Sequence, residues 1–130
     1  MRERVRSARV ARLATTDRSG RPHLVPFCFV LDGEELLSAV DAKPKASQRL
    51  RRLENVRANP AVSVLVDHYE EDWSRLWWVR VDGRAEVLES GGAADRAREL
   101  LAGKYEQYRS ARPAGPVLRI RAERWAGWAP

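Results

Sequence analysis

Apolar and polar residues alternate along this chain in short runs separated by glycine, proline and aspartate. Residues 2–9 have the pattern of a short amphipathic helix or arm. Val10–Thr16 then alternates as a half-buried strand does. Asp17-Arg18-Ser19-Gly20 reads as a turn, with Gly20 free to take positive φ. A second strand is predicted over Pro22–Leu31. Pro26 lies inside it and has no amide to donate, which marks an edge or a bulge. Asp32-Gly33 is a hairpin signal, and Glu35–Asp41 reads as a third strand. The first 41 residues are thus predicted to form a three-strand antiparallel meander.

The period lengthens over Ala46–Ala58, where Leu50, Leu53 and Val56 fall on one side of a predicted helix. Ser47 is its candidate N-cap, and Asn59-Pro60 stops it. Ala61–His68 is rich in β-branched residues and reads as a fourth strand. After a polar loop, Tyr69–Ser74, the segment Leu76–Leu88 alternates Trp77, Val79 and Val81 with Trp78 and Arg80. Asp82-Gly83 is expected to break it. Gly91-Gly92 opens a helix with Ala94, Ala97, Leu101, Tyr105 and Tyr108 at helical spacing. Pro113–Pro116 is a linker, Val117–Trp125 the last strand, and Gly127-Trp128-Ala129-Pro130 a tail. The order β-β-β-α-β-β-α-β, joined mostly by hairpins, argues for a mainly β antiparallel barrel with flanking helices.

The 130 residues fit a single domain over 1–130. Cys28 is the only cysteine, so no intrachain disulfide forms and a cytoplasmic setting is expected. No run reaches the ~20 apolar residues that a membrane span needs, and no apolar stretch behind Met1–Arg6 suggests a signal peptide. The only histidines are His23 and His68, and no Cys/His cluster has metal-ligand spacing. The net charge of +6 suits either plain solubility or an acidic partner, and its location must decide.

The basic residues are densest over residues 41–52. Lys43 and Lys45 precede the helix, and Arg49 and Arg52, three apart, share one of its faces. A helix start presents free amides and partial positive charge, which suits a phosphate. The competing reading is a solvated basic face. Neither a Walker loop nor a Rossmann fingerprint is present. Nucleic-acid binding is not expected, because the aromatics form no exposed stacking stripe. In an alternating strand Trp77 and Trp78 face opposite sides, one toward the core and the other toward an interface or cofactor. His23 reads as a surface histidine and Cys28 as a small buried hydrophobe. His68 and Tyr69 are candidate proton donors. No catalytic triad or carboxylate pair is evident, so catalytic residues are unassigned.

The run Leu13-Ala14-Thr15-Thr16-Asp17-Arg18-Ser19-Gly20-Arg21-Pro22, with Pro26 following, resembles the opening of pyridoxamine-phosphate-oxidase-like split β-barrels. Leu53–Val64 is similar to that family's helix end and following strand, and Arg80-Val81-Asp82-Gly83-Arg84-Ala85 to its Val-x-Gly-x-Ala strand. Asp67–Arg80 resembles a branch of coenzyme F420-dependent enzymes. The resemblance covers nearly the whole chain. It implies an FMN-binding-type split barrel that acts as a homodimer, with the cofactor in a groove between subunits. Carried over, Lys43, Lys45, Arg49 and Arg52 would meet the cofactor phosphate. Val25, Pro26 and Phe27 would face the ring edge, Ser38, Ala39, Val40 and Asp41 would line the groove, and Trp77 would stand near the ring. Asp41-Ala42-Lys43 stands where true pyridoxamine phosphate oxidases carry Ser/Thr-Arg-Lys, which argues against a role in B6 metabolism. The expected activity is F420-dependent oxidoreduction of a small organic substrate with an electron-poor double bond. An FMN-dependent oxidoreductase and a non-catalytic flavin or deazaflavin carrier are the alternatives.

Overall fold

The computed structural model describes residues 1–40 and 47–130, the side chains of Ser47–Leu50 excepted. The elements are α1 (Arg2–Ser7), β1 (Ala11–Thr16), β2 (Pro22–Phe27), β3 (Val30–Asp32), β4 (Glu35–Ala39), α2 (Ser47–Ala58), β5 (Ala61–His68), a 3₁₀ turn (Trp73–Arg75), β6 (Trp77–Leu88), α3 (Gly92–Lys104), α4 (Glu106–Ser110) and β7 (Val117–Trp128). The strands form one antiparallel sheet in the order β2-β1-β5-β6-β7-β4-β3, curled into the half-barrel of a split-barrel fold.

The expected three-strand meander does not form. Pro22–Leu31 is two strands, interrupted at Cys28-Phe29, and these lie at opposite edges of the sheet. One hairpin, β1–β2, closes one edge, and a second, β3–β4, closes the other. Pro26 is on an edge strand, as its missing amide requires. It faces Arg12 across the ladder. A proline cannot exchange two hydrogen bonds with its opposite residue, so this is a non-hydrogen-bonded pair and the Pro26 carbonyl points away from β1, off the sheet edge.

Two further expectations are corrected. Asp82-Gly83 does not break the long strand. It carries a β-bulge: Asp82 pairs with Arg124 but Gly83 with Ala122, so Glu123 is the extra residue. The tail after Trp125 is also strand, because past the bulge β7 keeps pairing with β6 as far as Trp128 opposite Trp78. The helix opened at Gly92 ends at Lys104. Tyr105 takes an extended conformation, and a short second helix follows.

Alternation sorts the two faces of the sheet. Leu13, Val64, Val66, Val79, Val81, Leu118 and Ile120 point inward and join Phe29, Leu36, Leu53 and Val56 in the main core. A smaller cluster packs Ala94 and Ala97 of α3 against Leu37 and Val117. Helix α2 closes the barrel with Leu53 and Val56, and one buried polar contact accompanies them: Asn55 Nδ2 donates to Thr15 Oγ1 at 3.0 Å.

Candidate active site

A cleft of about 870 Å³ opens where the C-terminal ends of β2 and β4 approach α2 and α4. Pro26, Phe27, Ser38, Ala39, Val40 and Arg52 line it, together with Cys28, Tyr105 and Tyr108. It therefore gathers Pro26 and Phe27 from one sheet edge, Ser38 through Val40 from near the other, and Arg52 from the helix between β4 and β5. Val25 shares the core-facing side of β2 with Phe27, packs partly buried against the core and does not line the cleft. Asp41, Lys43 and Lys45 lie outside the described residues. Arg49 lies in α2, and its side chain is likewise outside the description.

The lining is mixed: Phe27 and Val40 give apolar surface on the sheet side, while Arg52, Glu106, Gln107 and Ser110 add polar and charged groups on the helical side. Ser38 is buried, and the Pro26 carbonyl faces off the strand edge. Phe27 stacks on Phe29 with ring centres 5.5 Å apart. The helical wall is anchored by α3 and α4. The Tyr105 hydroxyl accepts from Phe29 N at 3.1 Å and lies within hydrogen-bonding distance of the Phe29 and Arg9 carbonyls. Lys104 Nζ donates to the carbonyls of Ala8 and Phe29 at 2.7 and 2.9 Å, over the Phe29 ring. Burial lowers the Lys104 pKa to about 8, helped by the nearby Arg9 charge. Burial also raises that of Tyr105. Tyr108 meets Tyr105 edge-on at 5.6 Å.

Tyr105, Tyr108 and Cys28 were not expected here. The tyrosines continue the i, i+4 spacing of α3 and so read as helix core. What turns them into the cleft is the break at Tyr105, which the spacing hides. Cys28 is half-buried, not a fully buried hydrophobe, because it sits in the joint between β2 and β3.

Trp77 is not brought to this cleft within the chain. It stacks on His68, ring centres 6.2 Å apart, with the Arg4 guanidinium 4.7 Å from its ring. A separate groove of about 580 Å³ on the outer face of the sheet is lined by Trp77 and Trp78 together with Leu24, Leu65 and Trp128. His68 and Tyr69 border that outer groove and are tied to Glu70 and Glu71. The His68 hydrogen bond lowers the Glu70 pKa, with help from Arg75. Among the described residues no group of His, Cys, Asp and Glu could hold a metal ion, and no helix is long and apolar enough to cross a membrane.

Residues 1–129 match the family model described as pyridoxamine 5'-phosphate oxidase. No curated protein matches the sequence. Among solved structures, the chain is similar to the conserved hypothetical protein Rv2991 of Mycobacterium tuberculosis, with 26% identity and a TM-score of 0.76 over 98% of this chain and 81% of that one. It is similar to a FAD-binding protein of Mesorhizobium loti, with 25% identity and a TM-score of 0.73 over 97% and 89%. The heme storage protein HutZ of Vibrio cholerae shares the fold at 17% identity, with a TM-score of 0.75 over 98% and 90%. With a family model matched over almost its full length, this chain belongs to the pyridoxamine 5'-phosphate oxidase family.

Proposed function

We propose that the protein is a coenzyme F420-dependent oxidoreductase acting on a small organic substrate, with its cofactor in the Pro26–Arg52 cleft. The observation that carries this reading is a single cleft that brings together the end of β2, the end of β4, the Tyr105 and Tyr108 wall and the Arg52 guanidinium. The cleft volume falls within the ~300–1,000 Å³ of small-molecule and cofactor sites. The residues fit such a group. Phe27 and Val40 offer apolar surface to a ring, the Pro26 carbonyl offers an acceptor to a ring N–H, and Arg52 offers charge-assisted donors to a phosphate. Lys43, Lys45 and Arg49 are expected from sequence to add to the same charge.

When bound, the cofactor supplies two-electron hydride chemistry, so the chain need not carry a nucleophile or metal. The protein's part is to orient the ring against the sheet edge, exclude water from it and hold the acidic tail. The net charge of +6 favours F420, whose tail carries carboxylates in addition to its phosphate. FMN in the same cleft is the second reading, favoured by the likeness to a FAD-binding protein at 25% identity.

We further propose that two copies pair through the outer face. Leu24, Leu65 and Trp128 are exposed there around the 580 Å³ groove, an apolar patch of the kind that marks an interface. Pairing would also give Trp77 a route to a partner's cleft.

The test is titration of the cofactor-free protein with F420 and with FMN, followed by steady-state oxidation of reduced F420 with activated alkenes, imines and carbonyls. Binding with turnover supports the enzyme. Binding without turnover across the acceptors leaves a carrier.

A further inference from the structure

The buried Thr15–Asn55 hydrogen bond lies one helical turn from Arg52, the residue that α2 contributes to the cleft. Thr15 is 2% exposed and Asn55 3% exposed, in a helix–sheet contact otherwise made by Leu53 and Val56. An apolar contact between helix and sheet is non-directional and tolerates sliding and rotation. A buried polar pair does not, because each group must find its one partner or stay unsatisfied. Residues three apart share a helix face, so fixing Asn55 on Thr15 fixes the height and rotation at which Arg52 leaves the helix. Thr15 stands on β1, the strand that also carries β2 and hence Pro26 and Phe27. The same hydrogen bond therefore ties the cation to the strand pair that would hold the ring.

We propose that Thr15 and Asn55 are positioning residues. Their hydrogen bond sets the distance between the phosphate-binding guanidinium and the ring-binding edge, and so makes the site selective for phosphate-bearing cofactors. This rests on the cofactor reading above. Neither residue lines the cleft. The pair's effect should appear only in how much the protein gains from the phosphate.

The experiment compares ligands with and without that phosphate: FMN against riboflavin, and the deazaflavin ribityl phosphate, trimmed of its glutamate tail, against the phosphate-free ribityl deazaflavin. Dissociation constants are measured by fluorescence for the wild type, Arg52→Ala, Thr15→Ser, Thr15→Val and the double variant Thr15→Val/Asn55→Leu. The double variant removes both polar partners, so neither is left buried alone. Thr15→Val, which changes one side chain at similar volume and leaves Asn55 unpaired, is read if the double variant does not fold. The expected result is a wild-type preference for the phosphate-bearing member. That preference should fall about tenfold, or about 1.4 kcal/mol, in the double variant and in Arg52→Ala, with affinity for the phosphate-free member within about twofold. Thr15→Ser, which keeps the hydroxyl, should keep the preference. An unchanged preference in the double variant, or an equal loss for both members of each pair, would overturn the positioning role while leaving the cofactor reading intact. Loss of preference in neither Arg52→Ala nor the double variant would overturn both.

Discussion

Tyr105 holds both backbone polar groups of Phe29 from the far end of the chain, its hydroxyl 3.1 Å from the amide nitrogen and 3.0 Å from the carbonyl oxygen. The joint between β2 and β3 is where the chain leaves one edge of the sheet for the other, and its amide has no ladder partner of its own. Replacing Tyr105 with Phe leaves that part-buried amide unpaired. Loss of such a partner costs about 1–3 kcal/mol. Denaturant unfolding of Tyr105→Phe should show a drop in that range at an unchanged m-value, and a drop below roughly 0.5 kcal/mol, the range of ordinary surface substitutions, would contradict the clamp.

Lys104 gives the same joint a pH dependence. Its pKa is about 8 in the folded protein against 10.5 in the unfolded chain. Between those values the unfolded state binds more protons, so this group's contribution rises with pH. Below about pH 8 the cost of burying the ammonium is fully present, and it is relieved as pH climbs toward 10.5. A neutral amine still has two N–H groups for the Ala8 and Phe29 carbonyls. Tyr105, raised above its ordinary value, enters only at higher pH. The Tm of wild type relative to Lys104→Met should therefore increase between pH 7 and pH 9.5. A constant or falling difference would be against this assignment.

Gly83 stands at the bulge between β6 and β7, facing the backbone of Arg121. A Cβ there would lie 2.3 Å from the Arg121 carbonyl oxygen and 3.1 Å from its carbon. Both are backbone atoms, so no rotamer relieves the overlap. Gly83→Ala should cost about 3 kcal/mol or more, at the upper end of overpacking effects. A thermal midpoint close to wild type would show that the bulge yields.

The outer face makes a prediction about assembly. Wild type should elute with twice the 14.8 kDa chain mass in light scattering. Leu65 stands in the middle of that face, with Arg12 and Arg80 as its cross-strand neighbours. Glutamate at this position suits a solvated monomer beside two arginines but is costly in a buried interface. Leu65→Glu should give a folded monomer, and a dimer of undiminished stability would place the interface elsewhere.

Much of this architecture was legible in the sequence, and the exceptions share a cause. Alternation located β1, β5 and β6 because one face of each is core and the other is not. Alternation carries no information about which strand pairs with which. The meander was therefore expected where β2 and β3 part to opposite edges. The Gly83 position was rightly marked as special, but a glycine inside a strand looks the same whether the strand stops or bulges. Pro26, Phe27, Ser38, Ala39, Val40 and Arg52 line one cleft, while Val25 and Trp77 lie outside it. Tyr105 and Tyr108 did not stand out, because a helix that breaks and resumes keeps nearly the same spacing. The Thr15–Asn55 pair had no signature at all: two polar residues forty apart declare themselves only when both are buried.

The proposed occupant of the cleft is a phosphate-bearing deazaflavin. The direct measurement is a pair of dissociation constants, for F420 and for FMN, each at low and at high ionic strength. The two rings would make similar contacts in the cleft, so the tail would decide. Exposed pairs between carboxylates and arginines are individually weak and are screened by salt. The expected result is tighter binding of F420 at low salt, a preference that shrinks as salt rises, and its loss when the glutamates are removed from the tail. FMN binding as tightly as F420 at every ionic strength, or protein that purifies yellow with bound FMN, would contradict the F420 assignment.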